Sequence, residues 1–345
     1  MTQKEQADVC HSEIRTIPTG ADWFDGSTQG SIGWVPERPQ LETDREVGVA
    51  RAFDIKALDA TFGAVITGIK LAALDDATWH TLYATWLEYA LLIFPGQHLS
   101  RDEQVAFANR FGPLEFNLAA LSNVKADGTL IDDPDNDILK VLKGNMGWHC
   151  DSTYMPVQAK GAVFTAEVVP SVGGATGWAD MRAAYDALDD DLRAKVEELA
   201  AHHSLYYSQS KLGHQPKAGS AYSGYGFHDG PVPLRPLVKV HPETARKSLV
   251  IGRHAHNIPS MEAAESEDFL QQLVDFACRP PRIYHHNWKP GDAVVWDNRC
   301  LLHQGTPWNM TEPRVMWHSR IAGDPATETA LNYPAEQAVG EKSSA

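Results

Sequence analysis

The sequence predicts a mainly β protein in which an antiparallel β core is decorated by helices. Helical periodicity is concentrated in the early and middle parts of the chain, and the last quarter is dense in strand-like runs that carry polar clusters. No internal repeat or low-complexity tract divides the 345 residues, so one elaborated domain is the simplest account. We place this domain at 49–325, between an irregular N-terminal arm (1–48) and a C-terminal tail (326–345).

The first elements are two helices separated by a strand. From Asp75 onward, apolar residues recur at the spacing of one helical face, namely Trp79, Leu82, Tyr83, Trp86 and Leu87. The apolar run ALLIFPG then predicts a short strand that ends at Pro95. In SRDEQVAFANRFG, Ser100 and Glu103 have the spacing of a capping box, which predicts that a helix begins there.

The remaining elements are mostly strands. Apolar runs predict strands at DILKVL (137–142) and GAVFTAEVV (161–169), and RAAYDALDDDLRAKVEEL (182–199) predicts one long helix. Two strands joined by a Pro-containing turn fit 235–252, and a polar helix fits residues near 261–277. The predicted strands at the end of the sequence are RIYHHNW, DAVVWDN and RVMWHSRIAG.

The charge and composition of the chain argue against some classes of binding partner. With 45 acidic and 30 basic residues the net charge is −15, which argues against a nucleic acid or an anionic membrane as partner. Neither a signal-type apolar segment nor a membrane-length apolar run is found in the sequence. The four cysteines are scattered and form no CxxC pair, so we expect free thiols in a cytoplasmic protein.

The stretch WHCDSTY indicates a candidate metal site. In an extended segment His149 and Asp151 share one face and Cys150 points to the other. The pair is either part of a metal site or a hydrogen-bonded pair at the end of a strand. His303, which follows the strand in VVWDNRCLLHQG, offers a third ligand. Two imidazoles and one carboxylate are the ligand set of non-heme Fe(II) oxygenases, whose open positions accept a 2-oxo acid and O2.

Arg314 is a candidate for binding the 2-oxo acid. A distal carboxylate inside a pocket needs a cation, and the planar guanidinium group binds a carboxylate through two hydrogen bonds. Arg314 lies 11 residues after His303 in PRVMWHSRI, where strand alternation places it on one face with Met316, His318 and Arg320. The alternative is an ordinary structural ion pair.

These motifs together resemble a known family. W-H-x-D, GGxT, W-D-N-R, the distal His and an Arg 11 residues later occur in the order found in the taurine dioxygenase / 2,4-D dioxygenase-like group of Fe(II)/2-oxoglutarate enzymes, over roughly residues 50–325. The resemblance implies a distorted double-stranded β-helix, a cupin-like jelly roll. It also implies a homo-oligomer that hydroxylates a C–H bond of a small organic molecule and releases succinate and CO2.

The resemblance also implies roles for individual residues. His149, Asp151 and His303 would bind Fe(II) and form the catalytic centre, and Thr176 and Arg314 would bind 2-oxoglutarate, the cosubstrate used with O2.

The expected substrate pocket departs from the family pattern. Where relatives carry a substrate-binding arginine four residues after Arg314, this chain has His318, and the position of a substrate-binding histidine after RFG corresponds to Asn117. Arg320 and Asn145 are the other candidates for the pocket. Because the fixed positive charge is missing at these two positions, we expect a substrate other than taurine.

Two other functions are compatible with the same three ligands. A Zn(II)-dependent hydrolase could use them with a metal-bound water, and a non-catalytic jelly-roll protein could retain them as a metal-binding site. Neither alternative explains Arg314 or the GGAT segment.

Overall fold

The structure, a computed structural model, describes residues 52–133, 135–213, 226 and 230–334. Strands are numbered along the chain. The largest sheet has seven strands in the spatial order β1 (Asp54–Ala57), β2 (Ala64–Thr67), β3 (Leu91–Phe94), β13 (Ala293–Asp297), β5 (Gly161–Val168), β15 (Val315–Ile321) and β4 (Leu114–Ser122). Neighbouring strands are antiparallel except β2 and β3, which are parallel.

A smaller antiparallel sheet supplies the other strands of the core. It contains β12 (Ile283–His286), β6 (Thr176–Asp180) and β14 (Leu301–Gly305), with β6 in the middle. Two minor antiparallel sheets complete the described strands: β11 (Ala255–His256), β7 (Ala200–His203) and β8 (Leu234–Pro236) form one, and β9 (Val238–Val240) and β10 (Lys247–Leu249) form the other. The described residues thus confirm a sheet-rich fold with helices around it.

The helices surround the sheets. They are α1 (Asp76–Tyr89), α2 (Arg101–Asn109), α3 (Asp137–Gly144), α4 (Met181–Asp186), α5 (Asp190–Glu197), α6 (Leu205–Ser210), α7 (Ala263–Ala277) and α8 (Pro325–Glu328), with a short 3-10 helix at Leu71–Ala73. The predicted capping box of α2 is present, because Ser100 and Glu103 exchange backbone-to-side-chain hydrogen bonds. Among the described residues, no helix combines the length and the apolar character needed to cross a membrane.

Two predicted elements are wrong. Residues 137–142 form helix α3 instead of a strand, because a short apolar run does not distinguish the two and Asn136 caps the helix by accepting from Ile138 N. The single helix predicted at 182–199 is two helices. The side chain of Asp189 accepts a hydrogen bond from Leu192 N and so begins α5, three residues after α4 ends.

The first residues of the predicted C-terminal tail contact the rest of the described chain. Residues 326–334, which were predicted to lie in the tail, pack on the domain: Thr329 forms a β-bridge with Val157, and Ala330 N donates to Pro156 O at 2.9 Å. Glu328 is buried and forms an ion pair with Lys239. The predicted arm at residues 1–48 lies outside the described residues.

The two faces of the large sheet contact different parts of the protein. Val163 and Val295 point to a cluster that includes Trp86 of α1, and the next residues along the same strands, Phe164 and Trp296, belong to a cluster on the opposite face. Helices α1 and α2 therefore cover one face. The opposite face, together with the small sheet, bounds a cavity of about 450 Å³.

Candidate active site

Three predicted metal ligands converge at this cavity. The ligand atoms of His149, Asp151 and His303 lie within 4.8 Å of one another, and all three residues are buried. A β-bridge brings the two imidazoles together, with His149 N donating to His303 O at 2.9 Å and His303 N to His149 O at 2.8 Å. The side chain of Cys150 points away, as predicted, and its thiol donates to Asn298 O at 2.7 Å.

The two imidazoles are neutral and suited to binding a metal. His149 Nδ1 lies 2.7 Å from Gly147 O, so Nδ1 carries the proton and Nε2 keeps its lone pair. Burial lowers the pKa of His149 well below its ordinary value. Burial, aided by the charge of Arg320, lowers the pKa of His303 to about 3. Neutral imidazole is the form that binds a metal ion.

Asp151 is held by its neighbours in a fixed orientation. Arg320 Nη2 lies 2.8 Å from Asp151 Oδ1, while Oδ2 is 3.6 Å from His303 Nε2. Burial alone raises the pKa of Asp151, but the charge of Arg320 and its hydrogen bond to the carboxylate outweigh this effect and keep the pKa below its ordinary value. The carboxylate is therefore ionised at neutral pH.

Asn298, from the W-D-N-R motif, fixes the backbone of Asp151. Its Oδ1 accepts from Asp151 N at 2.9 Å, and its Nδ2 donates to Asp151 O at 2.9 Å and to Ala159 O at 3.0 Å. The side chain is fully buried. This asparagine belongs to the W-D-N-R motif, but the sequence did not indicate its role, which is to position the metal ligand Asp151.

Asn298→Leu should weaken metal binding without removing a ligand. Loss of a group that orients a metal ligand typically reduces affinity about 10- to 100-fold, so we expect a reduction of that size in Mn(II) or Fe(II) affinity, measured by anaerobic titration. Asn332→Leu, near the C-terminal end of the described residues, is the matched control. An affinity equal to that of the unmodified protein would show that Asn298 does not position Asp151.

The two residues predicted to bind 2-oxoglutarate both line the cavity, and Arg314 contacts the GGAT turn that contains Thr176. Thr176 Oγ1 accepts from Trp288 Nε1 at 2.9 Å, which leaves its own proton available to a ligand. Arg314 Nε donates to Gly174 O at 3.2 Å, and among the described residues no carboxylate pairs with Arg314. Burial lowers the pKa of Arg314 to about 10, so the guanidinium group remains charged at neutral pH.

The glycines of the GGAT turn allow this arrangement. Gly174 has φ +66°, and a Cβ there would lie 2.8 Å from Pro170 Cγ and 3.3 Å from Arg314 Cδ. A Cβ on Gly173 (φ +78°) would lie 2.3 Å from Pro307 O. Both positions therefore require glycine, because a side chain would displace the turn from Arg314.

The predicted substrate residues are only partly in the cavity. Asn145, His318 and Arg320 line it. Asn117 does not, and this prediction is wrong: strand alternation in β4 points Phe116 into the cavity and leaves Asn117 exposed. The pairing with β15 shifts register between His318 and Arg320, a change that the sequence did not reveal.

His318 is uncharged at neutral pH, and the charge of Arg320 is paired with Asp151. His318 packs edge-on or stacked against Phe116, Phe164 and Trp296, and burial, aided by the charge of Arg320, lowers its pKa to about 3. Arg320 Nη2 binds Asp151, and its Nη1 donates to Ser152 Oγ at 3.2 Å. The expected absence of a free cation at position 318 therefore agrees with the described geometry.

The rest of the cavity wall is mainly apolar. Many of its hydrophobic lining residues come from β4, α3 and the loop before β15, among them Phe116, Ala119, Leu121, Ile138, Val141, Leu142 and Trp308, and others come from β5, β13 and α6. The α3 residues were not predicted to line the cavity, because their segment was predicted to be a strand. Gln209, on the short helix α6, and His254, in an irregular segment, also line the cavity and were not predicted, because neither lies in a recognisable motif.

Known proteins match this chain over most of its length. The sequence profile described as Taurine catabolism dioxygenase TauD, TfdA family matches residues 54–320. The (S)-phenoxypropionate/alpha-ketoglutarate-dioxygenase of Sphingobium herbicidovorans is 76% identical over 284 residues, which cover 82% of this chain and 99% of that protein. An enzyme of the same name from Delftia acidovorans is 63% identical, covering 79% and 95%.

A solved structure supports the same relationship. It is described as AAD-2 in complex with Mn(II) and N-oxalylglycine, and it matches with a TM-score of 0.74 at 35% identity, covering 81% of this chain and 99% of that one. Fold and site together define an α-ketoglutarate-dependent (2-oxoglutarate-dependent) dioxygenase that uses Fe(II) and O2. The chain belongs to the TauD, TfdA family of taurine catabolism dioxygenases. The predictions of family, reaction class and cofactors are thus confirmed.

The residues present fit an iron ion. The buried Asp151 Oδ2 has no hydrogen-bond partner in the described part of the chain, although it lies close to both His303 and His318. A buried carboxylate oxygen without a partner is costly unless a cation binds it. Two imidazoles and one carboxylate are a ligand set that suits Fe(II).

Proposed function

We propose that this enzyme oxidises an (S)-2-aryloxypropanoate at the carbon that bears the ether oxygen. The main support is the 76% sequence identity to a phenoxypropionate dioxygenase, which extends over 99% of that relative. One oxygen atom of O2 enters the C–H bond and the other enters succinate, with release of CO2 from 2-oxoglutarate. The hydroxylated product is a hemiketal. Its C–O(aryl) bond breaks, the hydroxyl proton passes to the aryloxide, and a phenol and pyruvate are released.

His149, Asp151 and His303 would hold Fe(II), and Thr176 and Arg314 would hold the distal carboxylate of 2-oxoglutarate. When bound, the iron with 2-oxoglutarate and O2 supplies the oxidising power for C–H hydroxylation. The protein's own contribution is orientation, since Asn298 and Arg320 fix Asp151, and the Gly147 carbonyl fixes the ring of His149.

The cavity wall supports an aromatic substrate. Its apolar residues on β4 and α3 provide a surface for an aryl ring, and Trp308 offers an aromatic contact beside Arg314. The same residues exclude water from the reacting carbon. Taurine, a small zwitterion, would leave this surface unfilled, which agrees with the expectation of another substrate.

The proposal also includes the fold type, the limits of the domain, the oligomeric state and the cellular location. The large and small sheets on either side of the cavity would form a distorted double-stranded β-helix, the jelly roll predicted from the resemblance. The domain would run from about residue 49 to at least 334. A homo-oligomeric state and a cytoplasmic location remain predictions, which size-exclusion chromatography with light scattering and cell fractionation would test.

Turnover assays test the substrate. With Fe(II), 2-oxoglutarate and O2, (S)-2-phenoxypropanoate should give phenol and succinate in equal amounts. The (R)-enantiomer should react roughly 10- to 200-fold less efficiently, the discrimination that one displaced methyl group gives in a fitted pocket. Taurine should release no succinate above the substrate-free background. Phenol and succinate would be measured by chromatography.

Controls separate the alternatives. Phenol formed under nitrogen with Zn(II) would indicate a hydrolase, and succinate without phenol would show that the aryloxypropanoate is not oxidised. Either result would contradict the proposed function.

A further inference from the structure

The hydroxyl group of Thr176 has a single hydrogen-bond partner in the described part of the chain, which is Trp288. Trp288 Nε1 donates to Thr176 Oγ1 at 2.9 Å. An indole N–H can only donate, so it uses one lone pair of the hydroxyl oxygen and leaves the hydroxyl proton available. Thr176 is buried and lines the cavity, and no acceptor among the described residues takes this proton. The hydroxyl can therefore donate to a ligand in the cavity.

Trp288 lies behind Thr176 and is not one of the described residues that line the cavity. Its side chain is buried and packs edge-on against Phe164 and His286, with ring centroids 5.4 Å and 4.8 Å away. These two contacts fix the plane of the indole ring and so the direction of its N–H. Trp288 thus acts on a group that lines the cavity without lining the cavity itself.

The backbone on both sides of Trp288 is fixed by Asp292. His286 Nε2, before it, lies 3.0 Å from Asp292 Oδ2, and Lys289 N, after it, donates to the same oxygen at 3.0 Å. His286 is also the strand partner of Thr176 in the small sheet. The donor and the acceptor of the Trp288–Thr176 bond therefore lie on elements whose relative position is fixed.

An oriented hydroxyl donor suits the distal carboxylate of 2-oxoglutarate. An ionised carboxylate accepts hydrogen bonds and cannot donate them. The N–H of Trp288 makes Thr176 Oγ1 an acceptor on one side and so directs its proton to the other. A hydroxyl group that already accepts a hydrogen bond is also a stronger donor. Arg314, which donates to Gly174 O in the same turn, supplies the positive charge.

We propose that Trp288 is a positioning residue for 2-oxoglutarate, because it orients the Thr176 hydroxyl as a donor to the distal carboxylate. This inference rests on the proposed function, in which Thr176 and Arg314 bind that carboxylate. Trp288 acts through Thr176, so its replacement should weaken the binding of 2-oxoglutarate and leave the metal site intact.

Trp288→Phe tests the role of the indole N–H. The variant keeps an aromatic ring against Phe164 and His286 and removes the donor. In the Mn(II)-loaded protein, the Kd for 2-oxoglutarate should rise roughly 2- to 10-fold, which is the effect of losing one neutral hydrogen bond. The Kd for Mn(II) should stay within about twofold of its original value. Isothermal titration calorimetry measures both constants, and no substrate is needed.

A double-mutant cycle with Thr176→Val separates positioning from packing. Thr176→Val alone should raise the Kd for 2-oxoglutarate roughly 10- to 100-fold, because it removes a hydrogen bond to a charged group. If Trp288 acts through Thr176, adding Trp288→Phe to Thr176→Val should change this Kd by less than about twofold. A tryptophan that only supports the cavity wall would lower the affinity in both backgrounds.

Trp86→Phe is the matched control. Trp86 is buried in the cluster on the opposite face of the large sheet, and its Nε1 has no hydrogen-bond partner among the described residues. The control removes the same volume without removing a hydrogen bond, so the Kd for 2-oxoglutarate should stay the same. If Trp288→Phe folds poorly, 3-benzothienylalanine at position 288 gives the same test, because it keeps both rings and replaces the N–H by sulfur.

The outcomes separate this inference from the proposed function. If Thr176→Val leaves the Kd for 2-oxoglutarate unchanged, Thr176 does not bind the cosubstrate and both proposals fail at this residue. If Thr176→Val raises the Kd, but the change at Trp288 leaves it equal to that of the Trp86→Phe control, only the inference about Trp288 fails. Effects that multiply in the double variant would also overturn the inference, because they would indicate a packing role for Trp288.

Discussion

Replacing Asp151 with alanine should abolish oxidation of the substrate. The substitution removes the only carboxylate of the three-residue cluster and leaves Arg320 without the anion that lies 2.8 Å from its Nη2. Loss of a side chain that merely orients a ligand already costs about 10- to 100-fold in metal affinity, so loss of the ligand itself should exceed about 100-fold. Anaerobic Mn(II) titration and phenol release measure the two effects.

A neighbouring carboxylate provides the control for Asp151→Ala. Glu115 accepts a hydrogen bond from Ser152 Oγ at 3.0 Å but does not belong to the metal cluster. Glu115→Gln removes a negative charge near the site and should leave the metal affinity close to that of the unmodified protein. Full turnover by Asp151→Ala would remove Asp151 from the ligand set.

Replacing Arg314 should raise the requirement for 2-oxoglutarate. Truncating one partner of a buried charge pair costs about 2–5 kcal/mol, which corresponds to a rise in KM of roughly 30-fold or more. Arg314→Leu should show this rise, and Arg314→Lys should recover part of the affinity, because an ammonium group keeps the charge and loses the bidentate geometry. Steady-state kinetics with varied 2-oxoglutarate at saturating substrate measure the change.

The control for Arg314 is an arginine remote from the cavity. Arg279→Leu changes a side chain that packs on Phe276 at the end of α7 and should leave the KM for 2-oxoglutarate unchanged. If Arg314→Leu also leaves this KM unchanged, a different residue binds the distal carboxylate.

Two of the three residues of the metal cluster could be predicted from local geometry. His149 and Asp151 are two residues apart, so backbone alternation alone places both on one side, and the structure places both at the cavity. The position of His303 relative to them depends on a β-bridge between residues more than 150 positions apart in sequence. That contact followed from the resemblance to a family and not from periodicity.

The part of the cavity proposed to bind the substrate was harder to predict, because it depends on strand register and on helix packing. Asn117 was assigned to the pocket by its distance from the RFG segment, but the alternation of β4 turns it outward. The α3 segment was predicted as a strand, since an apolar run of six residues fits either element. Gln209 of α6 and Arg253 both lie close to Gly144 at the end of α3, where a Cβ would be 3.3 Å from Gln209 Nε2 and 2.9 Å from Arg253 Nη1.

The ion pair between Arg320 and Asp151 affects how many oxygen atoms of Asp151 can bind a metal ion. With Oδ1 committed to the guanidinium group, the carboxylate can offer an iron ion a single oxygen atom and cannot chelate it. Three protein ligands would then hold the iron, and its remaining positions would be open to the 2-oxo acid and O2. A carboxylate free to swing and bind through both oxygens would take one of these sites from O2.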